Sequence, residues 1–191
     1  MYYGAKGIDW APITEEKAGA LPTYGEVMRI GELNKVTDAP AFAEAKAYGD
    51  NALARHVAEF KECPLDIEVL DMPKTVVSAI TGAKISEGDA KDLHFNEADN
   101  PPYGGVVFYV NELLADNRKV FTGFFYPKAK AVMQGETYST KGESVTLTGK
   151  KLRLTASTAK NGDWKVESDY LETEEAAIAW CKAKLGAAAA T

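Results

Sequence analysis

The chain has 191 residues, of which 46% are hydrophobic and 26% charged, and a net charge of −6 at neutral pH. This size and composition are typical of one globular domain with a sizeable core, and they exclude a chain that is disordered throughout. No apolar run reaches the roughly 18 residues of a membrane helix, the first residues lack the apolar core of a signal peptide, and the acidic balance argues against a dedicated nucleic-acid binder.

Residues 26–36 have the composition of a strand, and the stretch that follows differs from it. Residues 37–56 are rich in alanine, weakly patterned, and interrupted by Pro40 and by the turn signal Gly-Asp-Asn at 49–51. We expect a long loop that leaves the sheet over 37–56, rather than a buried core element. Long structured loops in compact domains usually serve a function.

Residues 64–71 alternate between apolar and acidic side chains. Asp66 and Glu68 share one face of the predicted strand, and the opposite face carries Leu65, Ile67 and Val69. The alternation predicts a half-buried strand whose outer face is acidic.

A short helix is predicted over 72–82, directly after this strand. Asp71 is a candidate N-cap, Pro73 suits the first helical turn, and Gly82 suits the helix end. Residues 86–102 are rich in Ser, Gly, Asp, Asn and Pro, which predicts a polar loop.

Two strong strand candidates follow, at 103–114 and 118–126, and the residues between them have a turn-forming composition. Both candidates are apolar on both faces. A strand that is half exposed to water does not have this pattern, so we expect the pair to be covered by another element or by a partner chain.

Residues 143–157 change phase in the middle of a predicted strand. The apolar positions are odd-numbered before Gly149 and even-numbered after it, which predicts a bulge or bend at that glycine. The pair Asn-Gly at 161–162 predicts a tight turn that leads into a strand over 164–167.

The last predicted element is a helix over 173–185. Thr173 is its candidate N-cap, and acidic residues in the first turn and lysines in the last turn suit the helix dipole. We expect Ile178, Cys181 and Leu185 to form its inward stripe, with Trp180 and Ile178 covered by the sheet, and the alanine-rich tail after Gly186 to be frayed.

These elements predict a mainly β chain, folded as a β-sandwich or barrel with one short internal helix and a C-terminal helix. We expect residues 1–170 to form the sandwich domain and residues 171–191 to form the C-terminal helix and a flexible tail.

No pattern of catalytic chemistry stands out. The sequence holds two histidines and two cysteines, at His56, His94, Cys63 and Cys181, and no nucleophile elbow. These residues do not have the spacing of a zinc site or a disulfide framework. We therefore expect a non-enzyme with no metal, no cofactor and free thiols.

Several short motifs keep a fixed order along residues 2–168 of the chain: Tyr-Gly-Ala-Lys at 3–6, Ala-Pro-Ile-Thr at 11–14, Arg-Ile-Gly at 29–31, Glu-Ala-Lys-Ala-Tyr-Gly-Asp-Asn at 44–51, Thr-Lys-Gly-Glu-Ser at 140–144 and Lys-Asn-Gly-Asp-Trp at 160–164. In this order they resemble the major tail tube protein of long, non-contractile bacteriophage tails, in the form common in phages and prophages of Gram-positive hosts.

The resemblance implies a structural subunit of the virion tail, assembled in the cytoplasm of the host bacterium. Members of this family form hexameric rings that stack into a tube, together with a tape-measure protein and with tail initiator and terminator proteins. DNA passes through the tube without specific binding and is ejected into the host, and the subunit does not insert into a membrane.

Two surfaces follow from that expectation. The excursion over 37–56 is expected to reach an adjacent ring through Phe42, Glu44, Tyr48, Asp50, Asn51 and Leu53. Because phosphate contacts are what make DNA adhere to proteins, an acidic lumen wall would let DNA pass, and we hypothesise that Asp66 and Glu68 face the lumen.

Two alternatives stay open on the sequence. The chain is also compatible with the inner tube of a contractile tail or injection device. A monomeric ligand-binding β-sandwich is the other alternative, with a recognition platform built from Tyr2, Tyr3, Tyr103 and Trp164.

Overall fold

The structure is a computed structural model that describes residues 1–49, 52–88, 91–136, 138, 140 and 149–186. Within these residues the chain forms twelve strands and two helices. In chain order they are β1 Tyr2–Glu15, β2 Thr23–Tyr24, β3 Met28–Arg29, β4 Leu33–Asp38, β5 Ala41–Gly49, β6 Ala52–Val69, α1 Lys74–Thr81, β7 Lys84–Ile85, β8 Leu93–His94, β9 Tyr103–Leu113, β10 Lys119–Val132, β11 Lys150–Ala156, β12 Val166–Glu167 and α2 Glu174–Lys184.

One large antiparallel sheet organises the molecule, which confirms the mainly β fold. Its strands lie in the order β2-β1-β9-β10-β11-β6-β4. The segment of β3 and β4 joins the two sides of this sheet, because β3 pairs with β1 while β4 pairs with β6. The sheet therefore curls towards a barrel around a core of apolar side chains.

The hairpin of β9 and β10 is the centre of the sheet, and the prediction that something covers both of its faces is confirmed. Val106, Phe108 and Tyr126 point into the barrel core. Val107 and Phe125, on the other face, pack against α2. Both faces are apolar because the inner face meets the core and the outer face meets a helix.

Helix α2 is the predicted C-terminal helix. Its N-cap is Thr173, whose hydroxyl oxygen accepts a hydrogen bond from the backbone N–H of Ala176 at 3.2 Å. Cys181 and Leu185 are buried against the sheet as expected. Ile178 does not belong to that stripe, since 38% of it is exposed; Ala177 takes the buried position in its place. Residues 187–191, the predicted tail, lie outside the described part of the chain.

Helix α1 is the predicted internal helix, shorter than 72–82, and its buried side chains Val76 and Ile80 join the barrel core. The prediction that Asp71 caps it is wrong. The N-cap position is Pro73, without a side-chain cap, because the chain is still extended at that proline. Gly82 ends the helix in the left-handed conformation, as its sequence predicts.

The remaining strand predictions have mixed outcomes. The alternation of residues 64–71 is confirmed, with the acidic side chains outside and their neighbours in the core. The strand-like stretch 26–36 is split into β3 and β4 around Gly31, where a Cβ atom would lie 2.1 Å from the carbonyl oxygen of Asp71. The loop over 86–102 includes the two-residue strand β8.

The second half of the predicted strand over 143–157 is β11, and residues 141–148 lie outside the described part. Leu152, Leu154 and Ala156 of β11 are buried, as the second half of the pattern predicts. The predicted turn at 161–162 is present, with Gly162 at a φ of 95°.

Candidate assembly surface: the β-hairpin arm

The stretch expected to be a loop is a β-hairpin, and this corrects the prediction. β5 pairs with the first part of β6 from Ala41 opposite Glu62 to Gly49 opposite Ala52. We call residues 41–62 the arm. β6 continues from the arm into the barrel without a break, so the arm is an extension of a core strand, about 30 Å long at the ordinary rise of a strand.

The arm was difficult to predict because its alternation is unusual. Every second residue of β5 is alanine, which is depleted in strands, and the intervening side chains are Phe42, Glu44, Lys46 and Tyr48. The partner of β5 is β6, the next strand in the sequence. Hydrogen bonds between these two strands hold the alanine-rich backbone extended.

Both faces of the arm are open to solvent. Residues 42–48 and 55–59 are all exposed, including 49% of Phe42, 72% of Tyr48 and 53% of Val57. A two-stranded ribbon is at best marginally stable alone in water, and large exposed apolar side chains are typical of contact surfaces. These properties make the arm the candidate assembly surface of the molecule.

The outer edge of the arm has the same character. Among the described residues, β5 pairs with β6 alone. Its other edge therefore has backbone N–H and C=O groups that bond to no other described strand, and an open strand edge of this kind is a template for pairing with another chain.

The predicted contact residues are brought together in part. Phe42, Glu44 and Tyr48 lie at alternate positions of β5 and so share one face of the arm. The backbone of Leu53 pairs opposite Tyr48. Asp50 and Asn51 lie outside the described residues.

A small charged cluster lies in the middle of that face. The Glu44 carboxylate is 3.5 Å from Lys46 Nζ and 3.3 Å from His56 Nε2. All three side chains are about half exposed, so the pairs contribute little to stability, within about 1 kcal/mol. His56 thus belongs to the surface of the arm, while His94 lies in β8.

Aromatic rings support the root of the arm, and sequence reasoning missed this contact. The rings of Phe60 and Trp164 stack with centroids 4.4 Å apart and planes at 12°. Phe42, opposite Phe60 in the hairpin, meets that ring edge-on at 5.9 Å. Both strands of the arm are therefore linked to Trp164, which follows the turn at 161–162.

An ionic network lies beside this stack. Lys165 Nζ donates to Asp38 Oδ2 at 3.0 Å and forms an ion pair with Glu167 at 2.9 Å. The hydroxyl of the fully buried Tyr126 donates to the same Asp38 oxygen at 2.8 Å. The Lys165 ammonium also lies 4.9 Å from the centre of the Phe124 ring, a cation–π geometry.

The pKa values in this network favour its charged form. Burial opposes the charge on Asp38, but hydrogen bonds from Lys165 and Tyr126 outweigh it and lower the pKa of Asp38. Burial also opposes the charge on Lys165, yet hydrogen bonds to Glu167 and Asp38 raise the pKa of Lys165. The stability that the pair contributes is therefore lost only when the pH falls through the lowered pKa of Asp38 or rises through the raised pKa of Lys165.

The exposed face of β6, β11 and β4 differs from the expected acidic surface. Arg153 holds Asp66 through two hydrogen bonds, at 2.7 and 2.9 Å, and these lower the pKa of Asp66. Lys35 and Lys151 stand opposite Glu68 on the two neighbouring strands. Asp66 and Glu68 do point away from the core, but three cations on the same face balance their charge.

The four aromatic residues of the alternative recognition platform do not form one surface. Tyr2 and Tyr3 pair with Glu112 and Asn111 near the end of β9, whereas Tyr103 is the first residue of that strand. These two ends are about 25–30 Å apart at the rise of a strand. Trp164, the fourth, is stacked on Phe60.

The thiols and acids show no assembled chemistry in the part of the chain that the structure covers. Cys63 and Cys181 are both buried, and burial raises the pKa of the Cys181 thiol to about 12. Among the described residues, no three His, Cys, Asp or Glu side chains are grouped so that they would hold a metal ion. Neither of the two helices in that part is long and apolar enough to cross a membrane.

Comparison with known proteins adds no family to this description. Neither a scan against protein-family models nor a search of curated proteins finds a match for the chain.

Proposed function

We propose that this protein is a structural subunit that assembles with copies of itself into stacked rings, forming the tube of a bacteriophage tail through which DNA is ejected. The arm supports the proposal, because it is exposed on both faces, has an edge that pairs with no other described strand, and presents Phe42, Tyr48 and Val57 to solvent. The ordered motifs of the sequence, which resemble those of tail tube proteins of long, non-contractile tails, support the same function.

The geometry suits an association that repeats from one copy to the next. The arm extends from one end of β6, whereas the body of the barrel surrounds the other end. A contact between an arm and the body of the next copy joins two different surfaces, and such head-to-tail contacts generate rings or open-ended filaments. In a tube, contacts within a ring would close on themselves, whereas contacts between rings would repeat along the tube axis.

The proposal extends to the partners and the lumen. A tape-measure protein and tail initiator and terminator proteins are the expected partners, in a virion tail assembled in the host cytoplasm. Asp66 and Glu68 are retained as candidate lumen residues. With Arg153 and the two lysines beside them, they offer DNA a face of mixed charge instead of a strongly repelling one.

The experiment that tests the proposal shortens the arm. Replacing residues 44–58 by Asn-Gly keeps the Phe42–Phe60 contact and supplies a two-residue hairpin turn. We expect the purified full-length protein to form tubes in negative-stain electron micrographs, and the shortened protein to remain a folded monomer by light scattering and circular dichroism.

A matched pair of point variants tests the role of the arm without a deletion. Tyr48→Ser on the arm is expected to slow assembly at least tenfold, whereas Tyr170→Ser, which changes an exposed tyrosine far from the arm in the sequence, is expected to leave it unchanged. Long tubes from the shortened protein would refute the role of the arm. A full-length chain that stays monomeric at millimolar concentration would refute self-assembly.

A further inference from the structure

Two consecutive residues, Trp164 and Lys165, contact one strand of the arm and the segment that leads into its other strand. Trp164 stacks on Phe60 of β6, and Lys165 holds Asp38, the last residue of β4, three positions before β5 begins. We infer that Trp164 and Lys165 form a clamp that fixes the direction in which the arm projects. This inference rests on the proposed function, because the direction matters only if the arm must meet a neighbouring copy.

The clamp is anchored to the barrel and not to the arm. The residues that follow it form β12, in which Val166 and Glu167 pair with Phe125 and Phe124 of β10. The residues before it form the turn at 161–162, closed by a hydrogen bond from the backbone N–H of Ala159 to the carbonyl oxygen of Asp163 at 2.9 Å. Trp164 and Lys165 therefore transmit the position of a buried central strand to the arm.

The Lys165 side of the clamp resists movement because the Lys165 ammonium is shielded from water and the Tyr126 ring is buried. Only 19% of the Lys165 side chain is exposed, and its ammonium contacts two carboxylates and an aromatic face. Asp38 in turn accepts from Tyr126, a core residue. Moving Asp38 would leave the buried Tyr126 hydroxyl without its acceptor and the shielded ammonium with one carboxylate instead of two, which is less favourable than breaking an exposed ion pair.

The Trp164 side of the clamp acts on the second strand. Phe60 lies between the rings of Trp164 and Phe42, so a tilt of the arm would have to separate a parallel stack and an edge-on contact together. Between these points, the Ala39 N–H donates to the Pro64 carbonyl oxygen at 3.1 Å and ties the segment that leads into the arm to β6. The length of the arm makes this control important, because a rotation of about 10° at the root moves its far end by about 5 Å.

The test measures the position of the arm relative to the barrel within one chain. Spin labels are attached to cysteines introduced at Lys46, on the arm, and at Lys119, at the start of β10, while the native Cys63 and Cys181 are buried. Labelled protein is diluted into an excess of unlabelled protein, and the distance is measured by double electron–electron resonance. We expect one narrow distance distribution, which broadens at least twofold in Trp164→Ala and in Lys165→Met.

Three further variants separate positioning from general destabilisation. Trp164→Phe keeps a stacking ring and Lys165→Arg keeps the charge, so both are expected to retain the narrow distribution. Arg118→Met breaks exposed ion pairs with Asp116 and Glu172 and is expected to leave it unchanged. If Lys165→Met fails to fold by circular dichroism, Trp164→Ala alone decides the question.

The outcomes distinguish this inference from the proposed function. A distribution that stays narrow in folded Trp164→Ala would overturn the clamp and leave tube assembly untouched. Broadening together with the loss of regular tubes would support both. Broadening with normal tubes would support the clamp as a positioning device and refute the role of the arm in assembly.

Discussion

Gly7 and Gly19 have almost the same φ angle but different surroundings. Their φ angles are 70° and 75°, in the left-handed region where a side chain is unfavourable. A Cβ atom on Gly7 would lie 2.3 Å from the ring of Tyr109, whereas nothing lies within 4 Å of a Cβ atom on Gly19. The Tyr109 ring is held in place by its hydroxyl, which donates to Glu174 at 2.8 Å.

Alanine at the two positions therefore separates backbone strain from a steric clash. We expect Gly19→Ala to lower the free energy of unfolding by about 1–2 kcal/mol, through backbone strain alone. Gly7→Ala should lower it by a further 1–3 kcal/mol or so, because Tyr109 must move. Urea denaturation measures both values, and equal losses would show that Tyr109 accommodates the methyl group freely.

At the scale of an element, α2 shows how a helix packs closely on one face of the sheet. Ala177, Cys181 and Leu185 are buried, and Trp180 lies over Gly123, where a Cβ atom would come within 2.5 Å of the indole. Glycines in the sheet leave room for the large side chains at this end of the chain. Leu185 lies over Gly105 in the same way. The docking of α2 thus depends on its last turn as much as on its middle.

Substitutions at Leu185 and Ile178 test this description. Leu185→Ala removes a side chain that is almost fully buried and is expected to lower the free energy of unfolding by about 2–3 kcal/mol. Ile178→Ala, at a partly exposed position, should lower it by less than about 1 kcal/mol. Thermal and urea unfolding measure both, and a larger loss at Ile178 would restore the stripe expected from sequence periodicity.

These elements also show which information the sequence contains. The alternation of residues 64–71 and the apolar pair of strands β9 and β10 are local patterns, and they predicted the strands correctly. β1 was not predicted, because the left-handed Gly4 and Gly7 interrupt its alternation. The arm was placed outside the core correctly but predicted as a loop, since alanine is a weak strand signal.

No local sequence pattern predicts the contacts at the root of the arm. Lys165 and Asp38 are 127 residues apart in the sequence, and their pairing depends on the order of the strands in the sheet. Asp66 and Glu68 were predicted on the exposed face, where they lie, but the cations beside them come from β4 and β11. To predict which charges surround a residue in a sheet, one must know the register of several strands.

For the whole molecule, net charge governs how readily copies approach one another. Each chain carries −6 at neutral pH, and its isoelectric point is near 5.1. Copies therefore repel at pH 8, and salt screens that repulsion over about 10 Å at 0.1 M. The apolar side chains of the arm are unaffected by this screening, so salt changes the rate of encounter more than the contact itself.

The proposed assembly should therefore become faster when salt is added and also when the pH is lowered towards the isoelectric point, because both changes weaken the repulsion between copies. We expect tube formation at pH 8 to be several-fold faster in 0.5 M than in 0.05 M sodium chloride, and nearly independent of salt close to pH 5. Light scattering after a concentration jump measures the rate. A rate at pH 8 that falls as salt is added would show that opposite charges, and not apolar contacts, drive the association.

The continuity of β6 has a mechanical consequence. One unbroken strand of 18 residues runs from the arm into the barrel, where it is bonded laterally to β11 on one edge and to β4 on the other. A pull on the arm along this strand would load those lateral bonds in shear, so that many would have to break at once instead of peeling one after another. A filament joined by such arms would resist stretching through the tensile strength of its own polypeptide backbones.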